Sequence, residues 1–277
     1  MRQTITAFLV VRNEERIIGR CLESLKDVVD EIVVVHDGEC TDATLRICQQ
    51  YTDRIFVRPW LANCDPHRPF ALEKATGDWV LQIDADEVLS EELRKELRSL
   101  VECADVDLYC FIWPFTDGNR SLTVTIRHPY RPCLARRNKL YFYGLPDECF
   151  QTYGRRKKVP LLLEHRPLYN NYTWHKFRTK WLPNARLRAR LIWKDPEEIP
   201  CYGIEDRQSL VKHLSGYRRH PLLRMPLIFL RFLAYHLYKG MWRIGPIGLK
   251  ISLMSALDNA RVSYYVFKYR PRKPQPS

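Results

Sequence analysis

The chain has 277 residues, 45% of them hydrophobic and 28% charged. That is enough for one large domain, or one domain with a smaller annex, and it argues against a disordered chain. The formal net charge of +13 is unevenly spread, with −9 in residues 1–120 and +22 in residues 121–277, so the second half expects an anionic partner unless it is only a solvated basic face.

The segment Met1-Arg2-Gln3-Thr4-Ile5 shows no signal-peptide apolar region and runs straight into a compact apolar strand over Thr6–Val11. Asn13 is placed to cap a helix whose apolar positions are Ile17, Ile18, Cys21, Leu22 and Leu25, with Glu14 and Glu15 in its first turn. Ile32–Val35 reads as a second strand. Thr41 is placed to cap a helix over Asp42–Tyr51. Ile55–Val57 is a third strand, His67–Ala75 a helix ending at Gly77, and Trp79–Ile83 a fourth strand. Ser90-Glu91-Glu92 opens a helix to about Leu100. Strands and helices alternating at this spacing predict right-handed βαβ units and a parallel sheet. Ligands of such sheets bind beyond the carboxyl ends of the strands. The clusters Arg12-Asn13-Glu14-Glu15, His36-Asp37-Gly38 and Asp84-Ala85-Asp86-Glu87 all fall there.

From Asp107 to Leu163 the pattern becomes short and β-rich: Leu108–Trp113, Leu122–Ile126, Cys133–Ala135, Leu140–Phe142 and Val159–Leu163 read as an acceptor-side extension of the same sheet. From Tyr172 the chain is helical and basic, broken at Pro183, Pro196, Pro200, Pro221, Pro226 and Pro246. The expected organisation is residues 1–170 as one α/β domain (1–105 and 106–170 as its two halves), 171–269 as a basic helical region, and 270–277 as a disordered tail. There is no internal repeat. Nine cysteines without Cys-x-x-Cys or zinc-type spacing suit a reducing compartment. No apolar stretch is long enough to span a bilayer. The best apolar segment, Leu222–Tyr238, carries Arg224, Arg231 and His236. With Lys239 and Arg243 these fall on one side of a helix, which suits a membrane interface and equally a helix packed on the protein's own core.

Asp84 and Asp86 flank Ala85 at the end of an apolar strand, so both carboxylates can point to one side. They suit a hard divalent cation such as Mg²⁺ or Mn²⁺ with positions left for diphosphate oxygens. Asp-x-Asp alone is weak, since the same pair can sit in a solvated loop or cap a helix. Its place after a fourth strand, between Gly77-Asp78 and Glu87, strengthens the metal reading.

Four ordered motifs over some ninety residues resemble glycosyltransferase family 2, closest to bacterial lipopolysaccharide-core sugar transferases. They are Val10-Val11-Arg12-Asn13-Glu14-Glu15; Val33 to Thr44 with its Asp37 and Thr41-Asp42-Ala43-Thr44; the stretch with Arg68, Ala71, Ala75 and Gly77-Asp78-Trp79; and Ile83-Asp84-Ala85-Asp86-Glu87. His36 and Glu39-Cys40 depart from the usual small polar residues. The resemblance implies a GT-A (Rossmann-like) mostly parallel sheet with flanking helices and an inverting transfer from a nucleotide-diphosphate sugar. It implies that Arg12, Asn13 and Glu14 in the opening turn, with Asp37, hold the nucleoside. Arg68 and Asp84 would lie near the ribose and diphosphate, and Asp86 would bind the metal.

Inversion needs a base for the acceptor hydroxyl. The basic half offers only nine acids, and Tyr143-Gly144-Leu145-Pro146-Asp147-Glu148 resembles the family segment that carries this carboxylate. Glu148 is the first choice and Asp147 the second, although Asp147 could simply cap a turn after Pro146. A histidine placed like His165 completes the metal shell in related enzymes, but a lone histidine reads equally well as a hydrogen-bonded structural residue. Trp174, His175, Trp181 and Trp193, interleaved with Lys176, Arg178, Lys180, Arg186, Arg188 and Arg190, could line an acceptor groove, rest on anionic lipid, or pack a core under solvated arginines.

The expected partners are a nucleotide sugar and an anionic glycolipid or saccharide acceptor, with the enzyme peripheral at the inner face of the cytoplasmic membrane. Polyprenyl phosphate as acceptor usually goes with spanning helices. A nucleic-acid-binding protein would explain +22, but no nucleic-acid module is recognisable and the acidic strand-end cluster would have no role. A catalytically dead sugar-nucleotide binder is the third alternative, against which Asp84, Asp86 and Glu148 are all in place.

Overall fold

The computed structural model describes residues 2–61, 63–117, 121–122, 129–204 and 207–271. Among these the chain forms two compact units, Met1–Asn170 with Pro200–Ile204, and Asn171–Ile199 with Glu205–Ser277.

The first unit is built on β1 (Ile5–Val11), β2 (Glu31–Asp37), β3 (Ile55–Arg58), β4 (Trp79–Gln82), β5 (Glu87–Leu89), β6 (Leu108–Ile112), the short pair β7 (Phe115–Thr116) and β8 (Ser121–Leu122), β9 (Tyr130–Arg136), β10 (Leu140–Tyr143), β11 (Gln151–Thr152), β12 (Arg156–His165) and β13 (Cys201–Tyr202). Its main sheet runs β3-β2-β1-β4-β9-β6-β12-β5. The first four strands are parallel, as are β6 and β12. β9 and β5 run antiparallel to their neighbours. This is the mostly parallel sheet with flanking helices that the sequence predicts.

Every residue of β1 is buried, as a central strand covered on both faces requires. Alternate residues serve opposite faces. Ile5, Ala7, Leu9 and Val11 pack with α1 (Ile18–Leu25) and α4 (Glu91–Val101), through Leu22, Leu25, Leu93 and Leu97. Phe8 and Val10 pack with α3 (Arg68–Lys74), through Ala71 and Leu72, and with Phe142 and Phe150. α4 opens at Ser90-Glu91 as expected, and Ser90 caps it, its hydroxyl accepting from the Leu93 N–H at 3.2 Å.

Several expectations are corrected. Asn13 does not cap α1, which begins at Ile18, and Thr41 does not cap α2 (Thr44–Cys48). The two side chains bond each other instead. Gly77 does not terminate α3. It is needed because a Cβ there would stand 2.7 Å from the Thr6 backbone nitrogen. Leu140–Tyr143 leaves the main sheet and joins a three-stranded sheet ordered β11-β10-β13. Of the strand expected at Leu122–Ile126, residues 123–126 lie outside the described residues, as do 272–277 of the tail.

The second unit is helical. α5 (Trp174–Lys176) runs through a π turn at Phe177–Trp181 into α6 (Leu182–Trp193), followed by α7 (Arg207–Arg218), α8 (Pro221–Tyr238) and α9 (Pro246–Lys268). Pro183 offers no N–H to the preceding turn, and the helix loosens into its π turn just before it. Pro221 and Pro246 open α8 and α9, where a missing N–H costs nothing. Pro226 does not break α8, and Leu222, whose carbonyl loses that donor, sits on an exposed turn. α6, α7 and α8 each pack on α9, whose Ile251, Met254, Ala256 and Val266 are buried. Trp193 belongs to this core, its indole N–H donating to the Val266 carbonyl at 2.6 Å. Trp174 is half exposed. No helix among the described residues is long and apolar enough to cross a membrane.

Candidate active site at the strand ends

The turn after β1 is latched to the loop after β2. Asn13 takes a left-handed φ of 50°, a conformation asparagine tolerates. Its side-chain amide donates to the Thr41 hydroxyl at 2.8 Å and its carbonyl accepts from the Thr41 N–H at 3.0 Å. Its backbone N–H donates to His36 Nε2 at 3.3 Å, while His36 Nδ1 donates to the Gly38 carbonyl at 2.8 Å. One ring nitrogen must accept and the other donate, which fixes the tautomer. The Glu14 N–H donates to the Thr44 hydroxyl at 2.6 Å, and Glu15 accepts from the Ala43 N–H at 2.9 Å. The amide of Asn13 is therefore occupied within the protein. Arg12 is exposed, its guanidinium 4.9 Å from the centre of the Trp60 ring.

Asp37 is buried at the end of β2. Its Oδ1 accepts from the Leu61 N–H at 2.7 Å and from His67 Nε2 at 3.0 Å. The next residue, Arg68, reaches the end of β4. Its Nε binds Asp65 at 3.0 Å and its Nη2 binds Asp84 Oδ1 at 3.0 Å. His67 and Arg68 thus link the second and third polar clusters, which the fold brings to one edge.

Asp84 meets two guanidiniums. Arg131 Nη2 donates to its other oxygen at 2.9 Å, and Arg131 Nη1 binds Glu87. Glu87 is fully buried and fully occupied: Oε1 also accepts from the Trp113 indole at 2.6 Å, and Oε2 from the Asp84 N–H at 2.8 Å. Burial works against ionisation of Asp84, but Arg131 and Arg68 outweigh it and hold the carboxyl well below the usual carboxylate range. Burial opposes the charge on both arginines too, and Asp84 reverses that.

Asp86 lies beside His165, with Oδ2 and Nε2 3.3 Å apart. The β5–β12 ladder sets this pair, since His165 stands opposite Glu87 and the Arg166 N–H donates to the Asp86 carbonyl at 2.7 Å. Trp113 stacks on the His165 ring at 4.2 Å and 25°. Among the described residues no group of three or more His, Cys, Asp or Glu is arranged to hold a metal. Asp84 is taken by arginine, which leaves one carboxylate and one imidazole. That pair would supply two ligands to a divalent cation, the imidazole suiting Mn²⁺ better than Mg²⁺, with the other positions left to diphosphate oxygens and water.

Asp147 and Glu148 sit on the turn after β10. Asp147 has φ 64° and its N–H donates to Asp65 Oδ2 at 2.8 Å. Asp65 in turn binds Arg68, so one buried carboxylate ties this turn to the strand-end network. Burial raises the Asp65 carboxyl, with Asp147 and Asp84 adding to the effect and Arg68 opposing it. Asp147 is exposed and Glu148 half-buried.

Arg131, Trp113, Asp65 and His67 are part of this network and were not singled out from sequence. The signal for Arg131 is register. In the β4–β9 ladder Trp79 pairs with Arg136 and Leu81 with Leu134, so β9 runs beside β4 toward its carboxyl end, where Arg131 meets Asp84.

A family model described as Glycosyl transferase family 2 matches residues 6–160. A protein of Rickettsia felis described as an uncharacterized glycosyltransferase is 39% identical over 107 residues, covering 39% of this chain and 37% of that one. The lipopolysaccharide core biosynthesis glycosyltransferase LpsC of Rhizobium meliloti is 38% identical over 106 residues, covering 36% of this chain and 38% of that one. The matches thus span well under half of these relatives. Among solved structures, glucosyl-3-phosphoglycerate synthase of Mycobacterium tuberculosis aligns over 68% of this chain and 78% of its own, with a TM-score of 0.45 and 17% identity.

Proposed function

Because this chain belongs to glycosyl transferase family 2, we propose that it is an inverting glycosyltransferase that moves a sugar from a nucleotide-diphosphate donor to a hydroxyl of an anionic glycolipid or saccharide, in cell-envelope or lipopolysaccharide assembly. The observation that carries the reading is the double arginine clamp on Asp84 beside the Asp86–His165 pair, at the carboxyl ends of parallel strands. The LpsC relative supports the acceptor class, and the +22 of residues 121–277 suits an anionic acceptor at a membrane surface.

Asp37 and the Arg12–Trp60 pair hold the nucleoside, and Arg68 and Asp84 fix the ribose and diphosphate end. Asp86 and His165 hold the divalent cation, which when bound offsets charge on the leaving diphosphate. Glu148, or else Asp147, accepts the acceptor hydroxyl proton. The acceptor oxygen bonds to the sugar carbon as the bond from that carbon to the phosphate oxygen breaks. Its electron pair leaves with the nucleoside diphosphate.

The test is hydrolysis of a panel of nucleotide sugars with and without Mn²⁺, alongside thermal shifts with the same nucleotides. We expect metal-dependent release from one donor, reduced at least about a hundredfold in Asp86→Ala. If no donor is cleaved and none shifts the melting temperature with metal present, the reading fails. With an acceptor in hand, Glu148→Gln should keep the donor-induced thermal shift and lose on the order of 10²–10⁴ in transfer rate. A larger loss in Asp147→Asn would move the base to Asp147.

A further inference from the structure

The outer face of α8 is built for contact with something apolar. At about 100° per residue, Leu223, Leu227, Leu230, Ala234, Leu237 and Tyr238 fall in one sector roughly 100° wide, and every one of them is exposed. Leu223 is 72% exposed, Leu227 67% and Leu230 58%. The opposite face is apolar as well: Ile228, Phe229, Phe232 and Leu233 are partly buried and His236 is buried, where the helix packs on α9. A helix with two apolar faces needs cover on both, and this one has it on one.

Charge narrows the choice of cover. Residues 207–257 contain no Asp or Glu and nine Lys or Arg. Arg224 and Arg231 are exposed and fall along one border of the leucine sector. At the end of the helix Trp242 is 54% exposed and the Arg243 guanidinium lies 5.0 Å from its ring centre, the pairing of aromatic and cation found where apolar and wet zones meet. A second copy on this face would bring cations against cations. Nucleic acid would satisfy the arginines but would leave the leucines facing phosphates. A bilayer with anionic headgroups satisfies both sets at once, and no helix among the described residues is long and apolar enough to cross it.

We propose that the outer face of α8, with Trp242 and Arg243, docks on an anionic lipid surface, the leucines entering the headgroup boundary and the bordering arginines pairing with lipid phosphates. The proposal uses no residue of the strand-end site and stands independently of the transferase reading.

The test is co-sedimentation of the full chain with vesicles of phosphatidylcholine alone or mixed with phosphatidylglycerol, at low and physiological salt, with light scattering for oligomeric state. The expected result is at least about tenfold stronger partitioning to the anionic vesicles, weakening as salt rises. The variant Leu223→Gln/Leu227→Gln/Leu230→Gln should lose binding on the order of a hundredfold, with its melting temperature and donor-induced thermal shift unchanged. Arg224→Gln/Arg231→Gln should lose on the order of tenfold and most of the salt dependence. Wild type that ignores both vesicles, or a leucine variant that binds as wild type does, overturns the proposal. A dimer that the leucine variant dissolves also overturns it and assigns the face to a second copy. Loss of the nucleotide shift alone would count against the active site and not against this surface.

Discussion

The strand-end network and α8 both depend on arginine, and they use it in opposite ways. Arg68 and Arg131 are largely buried, and each guanidinium spans two carboxylates, Asp65 with Asp84 and Asp84 with Glu87. Their charge is spent inside the protein and what remains is geometry: the Asp84 oxygens are fixed in place before any ligand arrives. Arg224 and Arg231 are exposed in a stretch with no acid of its own. Their charge is projected outward and sets no local geometry. A net-charge figure for the chain adds these two kinds together and describes neither.

The comparison is sharpened most by Arg131→Met. The variant removes one clamp from Asp84 and leaves Glu87 buried without its cation. We expect about 3 kcal/mol of lost stability, read as a lower urea midpoint at unchanged slope. A change under about 0.5 kcal/mol would mean that the buried network does not hold the site, and the contrast would collapse. An intermediate case lies at the N-terminal side of the same sheet. Asp30 accepts from both Nη atoms of Arg98, at 2.7 and 3.0 Å, and from the Ile5 N–H at 2.7 Å. Burial acts to raise its carboxyl, but these donors prevail and lower it. A lowered acid contributes stability that is present above its unfolded pKa and lost as pH falls through its folded one. Asp30→Asn should therefore cost about 1 kcal/mol near neutrality, and the gap to wild type should close as pH drops below about 4. A gap that persists in acid would show that the carboxylate charge is not what matters there. The smallest effect belongs to Arg231→Gln, expected to leave folding stability within about 0.5 kcal/mol. A larger loss would mean that this arginine, too, is structural.

How much of this was legible in sequence follows from how local each signal is. The four parallel strands and the start of α4 at Ser90-Glu91-Glu92 could be read because apolar runs and helix-start chemistry are short-range. Asn13 and Thr41 have capping chemistry by the same local logic, yet neither caps a helix, because a better partner lies 28 positions away, each side chain for the other. Arg131 was missed for the same reason on a larger scale. Its contact with Asp84 depends on β9 lying antiparallel beside β4, a neighbour that no local pattern announces. β10 was assigned to the main sheet because a four-residue apolar strand carries no mark of the sheet it will join. The Asp84-Ala85-Asp86 segment was visible, but the division of labour within it was not: Asp84 faces guanidiniums and Asp86 faces an imidazole, and that separation is made by residues far along the chain.

The adjacency of His67 and Arg68 has a mechanical consequence. One side chain bonds Asp37 at the end of β2, and its sequence neighbour bonds Asp84 at the end of β4. A single peptide unit thus acts as a rigid crossbar between two anchor points. Any movement of this turn must be felt at both anchors together, so the ends of β2 and β4 are coupled through it.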